Sequence, residues 1–307
     1  MSYKSTFDLE KKRIGNIGNT FVAIYECDGM KEIARIPNLR YPFHLCFSPD
    51  GTQVAIKNTS GKIKVFDIAS QECISNQVSR KIGEGSSMFY VDADRILSCD
   101  WWGKLYLYNI KLGETTICHT FTDIKTPNLI PTEDGFLAYA DYYIQRKGYC
   151  DCFTEFYQVS VEDTVKVKFL LKEECELINN AYACFKDKVF FYSVPKNQIY
   201  CYDIKNVSMQ PLYKLPDHEI RLERELFNDI SISPDGKKIA LAFNTHVRVY
   251  NTKNYELILL HQLEHGYNVS FLNKESLWIG TLEKVEVIQV LNQNAGMNLT
   301  KDNQSER

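Results

Sequence analysis

The chain has 307 residues, 44% of them hydrophobic and 13% aromatic, enough apolar side chain to bury a sizeable core. Its formal net charge of −3 gives no overall basic field for a nucleic-acid backbone or an anionic membrane surface. Apolar runs such as Leu257 to Leu260 are far too short to span a bilayer, and the opening MSYKSTFDLEKKR lacks a signal-peptide core, so a soluble, cytoplasmic chain is expected.

The first strong strand signal is Phe21 to Tyr25. Too few residues precede it for a full set of strands, so Ser5–Leu9 either forms the inner strand of the first unit or pairs with the last one. From Phe47 to Ile68 the chain reads FSPDGTQVAIKNTSGKIKVFDI. A strand ends at Phe47 and Ser48-Pro49-Asp50-Gly51 turns. A second strand carries Val54 and Ile56, Thr59-Ser60-Gly61 turns again, and a third alternates Ile63 and Val65 before closing on Phe66-Asp67. Period-two alternation between Pro-Asp-Gly and Ser-Gly turns is a strand-turn-strand signal. An outer strand is expected near Glu72–Val78.

The next unit aligns without a gap, Phe89 on Phe47 and Asn109 on Asp67, with Asp100-Trp101-Trp102-Gly103 at its second turn. The fourth unit carries DYYIQRKGYCDC, read as an insertion between its second and third strands. The fifth has Ser193-Val194-Pro195-Lys196-Asn197 at the matching turn, and PDHEIRLEREL, charged and with helical character, leads into the sixth. There ISPDGKKIALAFNTHVRVYN repeats the turn as Ser233-Pro234-Asp235-Gly236, and a seventh unit runs from Asn268 to Gln289.

A closing pair measures the spacing: Phe66-Asp67, Tyr108-Asn109, Tyr157-Gln158, Tyr202-Asp203, Tyr250-Asn251 and Ile288-Gln289, with Ile24-Tyr25 as a weaker first copy. The steps are 38 to 49 residues. A period of roughly 40–45 residues with several short strands per copy is that of a propeller blade. One blade cannot bury both faces of its sheet, so blades stack about an axis. The expected fold is all-β: a seven-bladed β-propeller of four-stranded antiparallel blades over residues 1–291. Residues 292–307 form a polar tail, disordered or supplying part of a missing outer strand.

Ser48-Pro49-Asp50-Gly51, a small polar turn and an alternating strand ending in aromatic-Asp resemble the WD-repeat β-propeller family across nearly the whole chain. No copy ends in Trp-Asp, and Glu264-His265-Gly266 is the nearest approach to the family's Gly-His. Lactonase-like and periplasmic propellers share the Ser-Pro-Asp-Gly turn and stay open as alternatives. In WD-repeat propellers the turn between second and third strands and the connection into the next blade share one face. The resemblance therefore implies a partner-binding face carrying Trp101, Trp102, Tyr142, Tyr143, Arg146, Lys147, Tyr149, Arg221 and Arg224. Aromatics and arginines are the residue types that carry binding hot spots, because they desolvate large area and still hydrogen-bond. The competing reading is that one tryptophan packs between blades and the tyrosines cover the base of the insertion.

Three residues before each Phe47 equivalent stands a polar residue: His44, Ser86, Asn128, Asp229 and Asn268, with Asn180 shifted by one. These are expected to ring the mouth of the central channel, holding water, a metabolite or a partner's side chain.

Other motifs carry less. His261-Gln262-Leu263-Glu264-His265 matches a zinc-protease pattern that needs a helix, but the repeat places it on a strand, where the two histidines stand about 13 Å apart. Cys150-Asp151-Cys152 lacks a second pair for structural zinc. The ten cysteines fall mostly within strand patterns and read as reduced. No cofactor or metal is expected. The function expected is non-catalytic: a scaffold, monomeric outside its complex, displaying a rigid face to a partner protein or peptide, with no nucleic-acid or membrane partner. The alternatives are a lactonase-like hydrolase or a small-ligand sensor at the channel mouth, with Asp229 and His44 the only ionisable residues of the ring.

Overall fold

A computed structural model describes residues 5–8, 11–77, 83, 85, 87–121, 127–146, 149–175, 177, 181–215, 226–281 and 285–290. Their strands form seven antiparallel sheets, each built from consecutive strands. Blade one holds β1 (Ser5–Asp8), β2 (Arg13–Ile17), β3 (Val22–Glu26) and β4 (Glu32–Ile36). Blade two holds β5 (Pro42–Phe47), β6 (Gln53–Asn58), β7 (Ile63–Asp67) and β8 (Cys73–Asn76). Blade three comprises β9 (Met88–Tyr90), β10 (Arg95–Cys99), β11 (Lys104–Asn109) and β12 (Glu114–Thr120). In blade four these are β13 (Asn128–Thr132), β14 (Gly135–Arg146), β15 (Tyr149–Val161) and β16 (Val165–Glu173). Blade five has β17 (Ala183–Phe185), β18 (Lys188–Ser193), β19 (Gln198–Asp203) and β20 (Ser208–Lys214). Blade six has β21 (Phe227–Ile232), β22 (Lys238–Phe243), β23 (His246–Asn251) and β24 (Leu257–Gln262). Blade seven shows β25 (Gly266–Phe271), β26 (Ser276–Thr281) and β27 (Val285–Gln289) among the described residues. The fold is a seven-bladed β-propeller.

β1 pairs with β2 from Ser5↔Asn16 to Asp8↔Arg13, so the N-terminal strand belongs to blade one. Blade seven meets blade one across a cleft of about 820 Å³ lined by Lys12, Cys27, Met30, Phe271, Leu272 and Val287.

The core lies between the blades. Six apolar clusters each straddle a consecutive pair, from Val22, Ile24, Leu45 and Val54 at blades one and two to Ala240, Val249, Val269 and Ile279 at blades six and seven. This is why the middle strands read as near-continuous apolar runs: all six residues of β22 are buried, whereas none of the outer β24 is. The closing pairs have two jobs. Phe66, Tyr108, Tyr202 and Tyr250 are buried between blades. Their neighbours Asp67, Asn109, Asp203 and Asn251 each accept a backbone amide of the following turn at 2.8–3.0 Å.

Both Ser-Pro-Asp-Gly turns fold alike. Ser48 Oγ donates to Asp50 Oδ1 at 2.6 Å and Ser233 Oγ to Asp235 Oδ1 at 2.7 Å, while each serine Oγ accepts a later amide at 2.9 Å. Gly51 and Gly236 close them at φ of 70° and 72°, conformations that favour glycine. The bond from Ser48, with those from Thr52, holds the Asp50 carboxyl down at about 2.

Long cations at the start of second strands clamp one blade to the next. Arg13 reaches Asp8 at 2.7 Å and the Gly51 carbonyl at 2.6 Å. Arg95 reaches Asp92 at 2.7 Å and the Glu162 carbonyl at 2.6 Å. Lys238 donates to the carbonyls of Lys274 at 3.0 Å and Val290 at 2.8 Å.

The expected insertion in blade four is not a loop. β14 and β15 stay paired out to Arg146↔Tyr149, while β13 stops at Tyr139 and β16 at Thr154. Beyond that point a two-stranded ribbon projects from the blade. The register runs Tyr142↔Phe153 and Ile144↔Asp151 on one face and Asp141↔Thr154 and Tyr143↔Cys152 on the other, and the turn residues 147–148 lie outside the described residues.

Candidate functional site

Antiparallel alternation within each blade sends every second-to-third-strand turn to one end of the sheet, together with the connection into the next blade. Backbone bonds tie the two sets together: Leu39 N to Thr20 O at 2.8 Å, Thr59 N to Tyr41 O at 3.0 Å, Phe121 N to Gly103 O at 2.8 Å and Leu215 N to Asn197 O at 2.9 Å. This is the upper face; the Ser-Pro-Asp-Gly turns lie on the lower one.

Trp101 and Trp102 stand on the upper face in a turn organised by Asp100. Its buried carboxylate accepts the amides of Trp102 and Lys104, both at 2.9 Å, and the Tyr106 hydroxyl at 2.6 Å. The two tryptophans then diverge. Trp101 is half-buried, edge-on to Phe43 of blade two with ring centroids 6.3 Å apart. Trp102 is 74% exposed. One packs between blades and the other is displayed.

Other exposed apolar residues that sequence reading missed lie on the upper face: Tyr41 on the connection into blade two, Val194 on the blade-five turn and Leu226, 68% exposed, leading into blade six. Ile144 on the ribbon is also exposed. The rule that selected Trp101 and Trp102, position on a second-to-third-strand turn or a blade connection, selects Tyr41, Val194 and Leu226 as well. Of the other expected face residues, Tyr142, Tyr143, Arg146 and Tyr149 lie on the ribbon by backbone position, and Lys147, Arg221 and Arg224 lie outside the described residues. On the ribbon's base, the Lys172 ammonium lies over the Phe153 ring at 4.2 Å.

Of the expected polar ring, His44, Asn128 and Asn268 sit on or at inner strands and are at most 5% exposed. His44 packs edge-on to Phe89 of blade three at 5.9 Å, and Asn128 accepts from Ser87 Oγ at 3.2 Å. Asp229, half-buried, accepts the amides of Ile230 at 2.9 Å and of Val269, on the next blade, at 3.0 Å. Neighbouring side chains do the same work: Ser231 Oγ takes Phe271 N at 3.1 Å and Ser87 Oγ takes Leu129 N at 3.0 Å. Their polarity serves blade-to-blade pairing of inner strands, a contact that a single-strand pattern does not encode. Ser86 and Asn180 lie outside the described residues.

His261 lies on β24 and pairs through Nε2 with Glu286 of blade seven at 3.1 Å, while His265 lies on the following turn. Among the described residues no group of three His, Cys, Asp or Glu side chains converges on a possible metal position, and no helix is long and apolar enough to cross a membrane. A groove of about 470 Å³ on the lower face between blades five and six is lined by Phe185, Lys188, Asp203, Lys205 and Tyr255 among others. Its Lys205 is paired with Asp187 at 2.7 Å.

No family model matches the sequence, and no curated protein is similar to it in sequence. Fold comparison gives the opposite result. The Cps50 (Swd1) β-propeller domain of Myceliophteria thermophila superposes with a TM-score of 0.72 at 11% identity, covering 94% of this chain and 97% of that one. A further breadth of likeness, 1644 chains of solved structures, shows that the architecture is shared too widely to specify a role.

Proposed function

We propose that the protein is a non-catalytic interaction module of WD-repeat type whose upper face docks a partner protein or peptide. The observation that carries the reading is Trp102: a large aromatic side chain left 74% exposed on a turn whose backbone donates two hydrogen bonds to Asp100, itself fixed by the Tyr106 hydroxyl. A side chain presented on a rigid turn loses little backbone freedom on binding, and tryptophan is the residue type most enriched at binding hot spots. Tyr41, Val194 and Leu226 extend apolar surface across the same face, and the blade-four ribbon adds Ile144. The propeller supplies the rigidity, since blades two to six are each packed between two others.

The test is affinity capture from the native cell with the wild-type protein beside Trp102→Ala and a lower-face control, Leu112→Ala. A protein retained by wild type and by the control but lost with Trp102→Ala supports the docking face. Equal retention by all three overturns it.

A further inference from the structure

The upper face is asymmetric in charge as well as in hydrophobicity. Over blades two and three, the described upper-face residues include Arg40, Lys62 and Lys104, the first two exposed and the third half-buried. None of the three makes a side-chain ion pair or hydrogen bond among the described residues. Among the described residues of this sector the one carboxylate is Asp100, buried, with its oxygens taken by the Trp102 and Lys104 amides and the Tyr106 hydroxyl. The lower turns of the same two blades carry Asp50, Asp67, Asp92 and Asp94. A chain of formal charge −3 thus keeps these carboxylates at one end of the two blades and unpaired cations at the other.

These cations belong to the same surface as the exposed aromatics. The connection holding Arg40 and Tyr41 is bonded to the turn that leads to Lys62, Thr59 N to Tyr41 O at 3.0 Å. Phe43, two residues on, touches Trp101, the neighbour of Trp102. Blade two's connection, blade two's turn and blade three's turn therefore form one continuous sector with Tyr41 and Trp102 exposed within it.

We propose that this sector receives an acidic peptide segment carrying an aromatic or long aliphatic anchor, the anchor lying against Trp102 and Tyr41 and the carboxylates meeting Arg40, Lys62 and Lys104. The proposal rests on the docking-face reading above and adds the partner's chemistry. Unpaired exposed cations steer such a segment and set its register, while the desolvated aromatic contact holds it. A basic partner would place like charges together, and a purely apolar one would leave the cations without function.

The test is selection of random peptides displayed on phage against the immobilised protein, with Trp102→Ala protein used to remove peptides that bind elsewhere. The expected peptides are rich in Asp and Glu around an aromatic or Leu/Met residue. Arg40→Glu/Lys62→Glu protein, checked by circular dichroism and thermal melting to be folded as wild type, should bind them about tenfold more weakly. Their affinity should also fall as salt is raised from about 0.05 M to about 0.5 M. Selection of neutral or basic peptides, failure to select any Trp102-dependent peptide, or indifference to the charge reversal overturns the proposal. So does Trp102-dependent binding of single-stranded oligo(dT) with no acidic peptide bound. A cellular partner lost with Trp102→Ala yet kept by Arg40→Glu/Lys62→Glu would leave the docking face standing and remove only the acidic chemistry.

Discussion

Asp229 on blade six and Val269 on blade seven are joined by a hydrogen bond of 3.0 Å from the Val269 amide to the Asp229 carboxylate. Two residues along, Ser231 and Phe271 repeat the contact at 3.1 Å. A residue that the repeat alignment assigns to the channel mouth thereby becomes a staple between inner strands. Asp229→Ala leaves a partly buried amide without this acceptor, which is expected to cost about 1–3 kcal/mol. Asp229→Asn keeps a carbonyl oxygen and should lose less. Urea denaturation of the two variants beside wild type measures the difference; an alanine variant as stable as wild type would refute the staple.

The two adjacent tryptophans should separate in the same experiment. Trp101→Ala removes an edge-to-face contact with Phe43 and opens space between blades two and three, so stability should drop by more than the ~1 kcal/mol of an aromatic pair. Trp102→Ala removes an exposed side chain and should change stability by no more than about 0.5 kcal/mol while weakening partner binding. Comparable losses of stability in both would mean that Trp102 is structural.

His246 gives the molecule an acid-sensitive element. Burial, with a smaller contribution from the Arg248 charge, pushes its imidazole down to about 4 from an ordinary 6.5. The folded state therefore favours the neutral ring, and between these two values the unfolded chain binds more protons. Stability contributed by His246 is present above pH 6.5 and is lost as pH falls toward 4, at up to about 1.4 kcal/mol per pH unit. His246→Gln should flatten the fall in urea midpoint over that interval, and an unchanged slope would show that other groups set it.

What the sequence made legible follows from what repeats. The Ser-Pro-Asp-Gly turns and the aromatic-polar pairs recur because each blade needs the same turn, the same buried ring and the same capped exit, as Tyr108-Asn109 and Tyr250-Asn251 show. Their spacing therefore revealed blade number and strand order. Contacts specific to one junction do not recur and stayed hidden. Nothing in the sequence pairs Lys238 with the Val290 carbonyl or Lys57 with that of Cys99, at 2.8 and 2.7 Å. The blade-four segment was read as an insertion because its length breaks the period, although its register shows two strands extended past their neighbours. On the candidate face, turn position was enough to find Trp102; its separation from Trp101 depended on Phe43, a residue of another blade.

The two Ser-Pro-Asp-Gly turns allow a matched comparison, because their backbones agree and only their surroundings differ. A Cβ at Gly51 would come 2.4 Å from the Arg13 Nη2, at the end of a long side chain. At Gly236 it would come 2.4 Å from the ring of Phe185, which packs at the blade-five and blade-six junction. Both substitutions place a side chain at φ near 70°, a strain of at least about 1 kcal/mol. Gly51→Ala additionally displaces Arg13 from the Gly51 carbonyl, an exchange that a flexible side chain can partly absorb. Gly236→Ala must move an aromatic ring within packed surroundings, which adds about 1–3 kcal/mol. Gly236→Ala should therefore be the more destabilising of the pair in urea denaturation. Equal losses would show that Phe185 yields as readily as Arg13, and that the strain of the turn alone sets the cost.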